Sequence, residues 1–182
     1  MKLNTLILTT AMIFAINVHA SDDTKQNANA KKDSAAMAWL IVVNKSEIEA
    51  AKAAKVKKMD TDVMEYADLM IEAHSKNLDE TLNISKKIEI EPFEDNKTIA
   101  LEKNSKKELS KMEKLDDKKF QQAYVDAMVK DHTDALKTLD EEYLPKVSNE
   151  ELKEHLTQTR THISEHLDKA KKLKMEENNK TK

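Results

Sequence analysis

The chain contains no glycine among its 182 residues, only two prolines and no cysteine. Phosphate-binding loops, dinucleotide-binding turns and nucleophile elbows all need glycine, because their backbones adopt conformations or close approaches that a Cβ atom obstructs. The lack of cysteine excludes disulfides, thiolate catalysis, zinc ribbons and iron–sulfur clusters. These absences exclude the usual nucleotide-binding enzymes and leave a charged, helical protein as the expected class.

The segment 1–20 has the parts of a secretory signal peptide. Lys2 precedes a mostly apolar run over residues 6–18, and Val18 and Ala20 occupy the positions that a signal peptidase reads. We expect cleavage after Ala20. The alternative is an uncleaved anchor, but the apolar run is shorter than the roughly 20 residues that span a bilayer. The sequence therefore predicts a periplasmic or secreted protein with no stable transmembrane anchor after cleavage, and the absence of cysteine suits such a compartment.

The charge pattern argues against nucleic acid as a partner. The net charge is −3, acidic and basic residues are interspersed, and Arg160 is the only arginine among 31 basic side chains. Phosphate recognition favours the bidentate guanidinium fork and a clustered basic surface. The sequence indicates no specific protein partner and allows a homo-oligomer.

Apolar residues recur at spacings of three and four along the rest of the chain, which predicts an all-α fold. We expect a domain over residues 33–174 between two disordered tails, 21–32 and 175–182, whose composition is too polar to form a core. Asp33 or Ser34 is the expected cap of the first helix, and Ser148 with Glu151 forms a predicted capping box. The predicted helices cover about 34–57, 60 or 61 to 87, 98–115, 116 or 117 to 144, and 148–174.

Short turns join the first long helix to the second and the third long helix to the fourth, so each pair is expected to be antiparallel. Residues 88–116 separate the two pairs, and Pro92 interrupts the helical pattern there. This segment is long enough to return along the length of a bundle. The expected fold is a ferritin-like four-helix bundle with a long crossover that carries an extra short helix.

A short internal repeat links the second and third long helices. The pattern Tyr-x-Asp-x-Met-x3-His-x3-Leu begins at Tyr66 and again at Tyr124. It places His74 and His132 at equivalent positions. If the crossover makes the two helices parallel, these histidines lie at a similar depth in the bundle.

Each predicted apolar stripe contains an ionisable residue where its period calls for an apolar one. Inward polar groups need partners, because burying an unpaired amide or imidazole costs about 1–3 kcal/mol. One interpretation is a hydrogen-bonded layer, completed by a tyrosine, that fixes the helix register. The other is a transition-metal site for zinc, copper, iron or nickel. The candidate ligands are Glu47, His74, His132, His162 and His166, with Asn44 one turn before Glu47.

The choice between His162 and His166 stays open at this point. Along the chain, His162 lies slightly nearer to Ser148 than His132 does, and His166 lies slightly further from it. At about 1.5 Å per residue such differences matter, and counting depth in this way favours His162 as the partner of His132.

Two enzyme classes are disfavoured. Di-iron sites need Glu-x-x-His motifs, whereas the residues three before the four candidate histidines are Ile71, Val129, Thr159 and Ile163. Residues 162–166 match the order His-x-x-Glu-His of inverted zinc peptidases, but three fixed residues on a helix rich in Glu and His are weak evidence. We therefore expect a protein without enzymatic turnover. Two functions remain: an envelope protein that holds a transition-metal ion, or a metal-free envelope or stress-response interaction protein with a structural polar layer.

The segment Phe120-Gln-Gln-Ala-Tyr-Val-Asp-Ala-Met-Val-Lys-Asp-His132, followed by His162-x3-His166-Leu167, resembles an exported bacterial family, domain of unknown function 4142 (DUF4142). The segments that start at Glu47 and at Ala67 are similar to its first two helices. The resemblance implies a ferritin-like bundle in the periplasm or outer envelope and no established activity. It selects Glu47, His74, His132 and His166, although Ala73 stands where the family usually has Asp.

Overall fold

The computed structural model describes residues 19–180, with side chains from Gln26 onward. Within this part of the chain all regular structure is helical, which confirms the predicted all-α class. A π-helical turn, Leu139–Tyr143, extends α4 towards Pro145. The helices are α1 (His19–Lys55), α2 (Thr61–Lys87), α3 (Asn96–Met112), α4 (Asp117–Thr138) and α5 (Glu150–Lys180).

The four long helices form a bundle in which neighbours run in opposite directions. Lys55 near the end of α1 pairs with Asp68 near the start of α2 at 2.6 Å. The starts of α2 and α4 lie together, since the Asp60 amide donates to Gln121 Oε1 at 2.7 Å. Helices α2 and α4 are therefore parallel, and the crossover between them carries α3, which packs on α1 and α4. This is the predicted one-crossover topology.

Helix continues through most of both segments predicted as tails, 21–32 and 175–182. Helix α1 begins at His19 and α5 extends to Lys180. Segment 21–32 has no glycine or proline to end a helix, and half of its residues are alanine, lysine or glutamine, which are strong helix formers. At the other end, Gln121 donates to Glu177 Oε1 at 2.7 Å, which ties the last turns of α5 to the bundle.

The helix caps are partly as predicted. Asp116 accepts from the Lys119 amide at 3.0 Å and so caps α4. Neither Asp33 nor Ser34 caps α1, because that helix has already begun. The buried Asp33 carboxylate instead accepts from the amide and hydroxyl of Ser148, both at 2.8 Å. Since Ser148 is engaged in this way, the predicted capping box is wrong, and Asn149 caps α5 by accepting from the Leu152 amide at 3.0 Å.

Helix α2 ends in a conformation that usually selects glycine. Glu89 has a φ of 56°, in the left-handed region. The Ile90 amide donates back to the Ser85 carbonyl at 3.2 Å across this turn. This conformation costs a residue with a Cβ atom about 1–2 kcal/mol, which is one consequence of a chain without glycine.

The predicted signal peptide, residues 1–20, lies almost wholly outside the described residues, as does the end of the chain at 181–182. Among the described residues, no helix combines the length and apolar character needed to cross a membrane.

A polar layer divides the core into two apolar halves. One half surrounds Tyr66, Met70, Phe120 and Tyr124, near the starts of α2 and α4. The other surrounds Leu40, Leu139, Leu152 and Leu156 at the opposite end. Each long helix contributes to both halves and places buried polar residues at the level between them: Asn44, Glu47, His74, His132 and His166.

Candidate metal centre

Three histidines from three helices meet in this layer. His74 comes from α2, His132 from α4 and His166 from α5, and each is at most 6% exposed. Their ring centroids lie 5.5–5.8 Å apart. One nitrogen from each ring lies within 4.8 Å of the others. We call these residues the histidine triad.

Hydrogen bonds set the tautomers of two rings. His74 Nδ1 lies 2.9 Å from Asn44 Oδ1, and His132 Nδ1 lies 2.9 Å from the Met128 carbonyl oxygen. Both oxygens only accept, so each neutral ring carries its proton on Nδ1 and a lone pair on Nε2. His74 Nε2, His132 Nε2 and His166 Nδ1 are buried and have no hydrogen-bond partner among the described residues.

Burial keeps the triad neutral. It lowers the pKa of His132 to about 4 against the opposing effect of the Met128 hydrogen bond. Burial, then the charge of the neighbouring histidines, holds the pKa of His74 well below its usual 6.5. The same causes, led by burial, lower the pKa of His166 to about 3. Neutral imidazoles are the form that binds metal ions.

The partner of His74 is itself held by a chain of hydrogen bonds. Asn44 Nδ2 donates to Asn77 Oδ1 at 2.8 Å, and Asn77 Nδ2 donates to Thr159 Oγ1 at 2.7 Å. This chain joins α1, α2 and α5 at the level of the triad. Because it fixes the Asn44 oxygen, it fixes the orientation of the His74 ring, as outer-shell partners do in metal sites.

Glu47 lies beside the triad but outside it. Its Oε1 is 4.0 Å from His132 Nδ1, and its Oε2 is buried without a hydrogen-bond partner among the described residues. Burial, followed by the charge of Asp131, raises the pKa of Glu47 from 4.5 to about 8. The predicted ligand Glu47 therefore belongs to the wall around His132 in this structure.

Of the two candidates in α5, the structure brings His166 into the triad and leaves His162 outside it. His162 is exposed. It lines a surface crevice of about 20 Å³ whose inner wall includes His74 and His166.

The internal repeat is a spatial repeat. His74 faces His132, and one layer away Tyr66 faces Tyr124 with ring centroids 6.5 Å apart. Tyr66 donates to the His166 carbonyl at 3.2 Å, and the buried Tyr124 hydroxyl has no partner among the described residues. The two copies of the sequence pattern thus place equivalent side chains across the bundle axis.

The match to a family model decides where the chain belongs. The model described as "Domain of unknown function (DUF4142)" covers residues 18–173. The chain belongs to the DUF4142 family. The DUF4142 match includes α1 to α4 and α5 as far as Leu173, and so the whole triad. No curated protein and no solved structure matches the chain.

A further buried histidine of this DUF4142 domain was missed from the sequence. His155 in α5 is 5% exposed, and its Nε2 lies 2.9 Å from Thr81 Oγ1. Because the Thr81 hydroxyl donates to the Asn77 carbonyl, its oxygen accepts from His155. His155 Nδ1 faces Glu80 Oε2 at 3.7 Å. The signal was available, since His155 follows the buried Leu152 by three residues.

The triad has the donors of an open metal site. A tetrahedral ion with Zn–N bonds of about 2.0–2.1 Å places its nitrogen ligands about 3.4 Å apart. The triad nitrogens lie within 4.8 Å of one another, so a modest contraction brings them into bonding range. Three imidazoles and an open fourth position suit zinc, copper, nickel or iron.

Proposed function

We propose that this DUF4142 protein is an exported helical bundle that binds one transition-metal ion on His74, His132 and His166. The observation that carries the proposal is the set of three buried ring nitrogens, from three helices, that have lone pairs or protons but no hydrogen-bond partner among the described residues. The proposal concerns metal binding and includes no reaction.

The polar layer is energetically costly without a metal ion. Each buried polar group without a partner costs about 1–3 kcal/mol. Native cores rarely carry several such groups side by side unless a ligand, ion or water satisfies them. An ion bound by the three nitrogens would offset this cost. It would also link α2, α4 and α5 at the level of the polar layer.

The location in the cell envelope is supported by the sequence of segment 1–20. It combines a positive charge, an apolar run and small residues before Ser21, as secretory signal peptides do. A protein exported by this route would meet metal ions in the periplasm or outside the cell.

A second candidate is a metal-free interaction protein whose polar layer specifies the packing. It is favoured by the chain of hydrogen bonds from His74 through Asn44 and Asn77 to Thr159, which satisfies part of the layer without an ion. That chain leaves His132 Nε2, His166 Nδ1 and Glu47 Oε2 unpaired, and this is why we favour the metal site.

The test is the metal content of the protein purified without chelator or affinity tag from cells that express the full chain. We expect about one transition-metal ion per chain, as three imidazoles with an open position would hold. The double variant His74→Ala/His132→Ala should fold and contain none. His155→Ala is the matched control, because it removes an equally buried imidazole outside the triad, and it should keep the metal. A folded wild-type protein that contains no metal and takes up none on dialysis would refute the proposal.

A further inference from the structure

A cavity of about 230 Å³ lies between α1, α3 and α4, on the side of Glu47. Helix α3 forms its outer wall through Leu101, Ser105 and Leu109. The cavity is separate from the crevice of about 20 Å³ at His162. The crossover helix, which plays no part in the triad, thus covers a partly open cavity next to it, which we call the chamber.

The walls of this chamber carry an excess of negative charge, even though the raised pKa of Glu47, about 8, leaves that carboxyl largely protonated at neutral pH. Five acidic side chains and a single lysine, Lys130, line it. Lys130 pairs with Asp131 at 3.2 Å and with Asp134 at 3.1 Å, which leaves the other acids without this cation. A cleft lined by one sign of charge concentrates counter-ions. The acidic residues are Glu47, Glu49, Glu108, Asp131 and Asp134.

Glu47 connects the chamber to the triad. It lines the chamber, yet it is only 6% exposed and its Oε1 lies 4.0 Å from His132 Nδ1. Its Oε2 has no hydrogen-bond partner among the described residues. Asp131 precedes His132 in α4 and lines the same chamber. Glu47 therefore lies between the chamber and His132, and Asp131 lies on the chamber wall close enough to raise the pKa of Glu47 by its charge.

We propose that this chamber is the entry site for a divalent transition-metal cation, which binds to Glu47 and Asp131 before it passes to the triad. This inference rests on the proposed function. The size of the chamber supports it, because the six waters of a hydrated cation, at about 10–15 Å³ of accessible space each, need roughly 60–90 Å³. The crevice on the opposite side, at about 20 Å³, has room for a single water.

The experiment measures the rate at which the metal-free full chain takes up Co²⁺ in a stopped-flow instrument. The visible absorption of cobalt bound by imidazoles reports the arrival of the ion at the triad. We expect Asp131→Asn to lower the association rate constant by at least about threefold at low salt, with less effect at high salt. The dissociation rate should fall with it, because one route serves both directions.

Two control variants test whether the change in uptake rate is specific to the chamber. Asp126→Asn removes the same charge from α4, but Asp126 pairs with Lys174 and does not line the chamber, so the rate should change by less than about 1.5-fold. Ala73→Met narrows the crevice on the opposite side and should leave the rate unchanged.

The outcomes distinguish the two proposals. A wild-type chain that gives no cobalt spectrum at equilibrium would refute the proposed function, and the entry route with it. Normal equilibrium binding with unchanged rates in Asp131→Asn, or slow uptake in Ala73→Met alone, would overturn the entry route and leave the proposed function standing.

Discussion

His155 and the histidine triad are equally buried but differ in what their nitrogens contact. His155 donates to Thr81 at 2.9 Å and turns its second nitrogen towards the exposed Glu80. In the triad, two rings use Nδ1 to bond Asn44 and Met128, and each of the three rings keeps one buried nitrogen free. Burial alone therefore does not identify a ligand, because an ordinary core histidine is as deeply buried. The distinguishing features of the triad are an unpaired buried nitrogen on each ring and the clustering of the three rings.

The largest expected effect is the loss of metal affinity when a triad ring is removed. His132→Ala should raise the dissociation constant for Zn²⁺ by at least about 1,000-fold, since it deletes a direct ligand and direct ligands matter more than the 10–100-fold of outer-shell groups. Competition with a chromophoric chelator measures this. His155→Ala and His162→Ala should each change the constant by less than about threefold. Equal losses in all three variants would remove the distinction between the triad and the other histidines.

The stability of the metal-free chain should depend steeply on pH. The pKa values of the triad are lowered in the folded state, to about 4 for His132 and about 3 for His166, so their contribution is complete above pH 6.5 and is lost as the pH falls. The pKa of Glu47 is raised to about 8, so its contribution is complete below pH 4.5 and is lost as the pH rises towards 8.

Between pH 6 and 5 the free energy of unfolding should fall by about 2–3 kcal/mol. Each group contributes about 1.4 kcal/mol per proton and pH unit, and the effect of the three histidines exceeds the opposing effect of the one carboxyl. Urea unfolding at the two pH values measures it. Replacing all three triad histidines with leucine should abolish this loss and leave the smaller, opposite dependence that Glu47 contributes. A loss of stability on acidification that survives this replacement would have to come from other groups, such as His155.

The outer-shell partners of the two kinds of histidine should also behave differently. Asn44→Ala removes the acceptor that holds His74 Nδ1, and we expect Zn²⁺ affinity to fall about 10–100-fold. Thr81→Val removes the acceptor of His155 Nε2 and should leave Zn²⁺ affinity within about twofold of wild type. Isothermal titration of both variants checks this. Unchanged affinity in Asn44→Ala would show that the orientation of His74 does not depend on Asn44.

The smallest expected effect is a change in the free energy of unfolding, which should have opposite signs at His132 and His155. His132→Leu in the metal-free chain removes an unpaired buried nitrogen, and the Met128 carbonyl keeps its helical amide partner, so the chain should become about 1 kcal/mol more stable. His155→Leu removes a satisfied hydrogen bond and should cost about 1 kcal/mol. Thermal or urea unfolding measures both. If His132→Leu were the more destabilising change, His132 would be a structural residue.

Much of the fold follows from local patterns. The starts of α2 and α4 are predicted because Asp60 and Asp116 stand just before amphipathic stretches. The crossover topology follows from the length of the segment between the two hairpins. The first turns of α1 could not be predicted from apolar periodicity, because residues 19–32 carry few apolar side chains. The contact of Asp33 with Ser148 joins residues 115 positions apart, which no local pattern reveals.

The sequence predicts the kind of candidate site, a cluster of histidines in the bundle core, but only some of its residues. The stripes place His74, His132 and His166 inward, and the structure brings these three together. Counting depth from the helix starts favours His162, but rotational phase decides the matter. His166 follows the buried Thr159 by seven residues, two turns on the same face, whereas His162 lies about 60° round the helix. Which nitrogen of His74 stays free depends on the side chain of Asn44, 30 positions away in another helix, and no local pattern reveals that contact.

The most direct test of the metal centre is the X-ray absorption spectrum of the zinc-loaded protein. We predict a first shell dominated by nitrogen at about 2.0–2.1 Å, with the multiple-scattering pattern of three imidazoles, and one further ligand, such as a water oxygen, in the open position. In the variant His74→Ala/His132→Ala this pattern should disappear. A first shell of oxygen atoms, or one with fewer than two imidazoles in the wild-type protein, would show that the triad is not the metal centre.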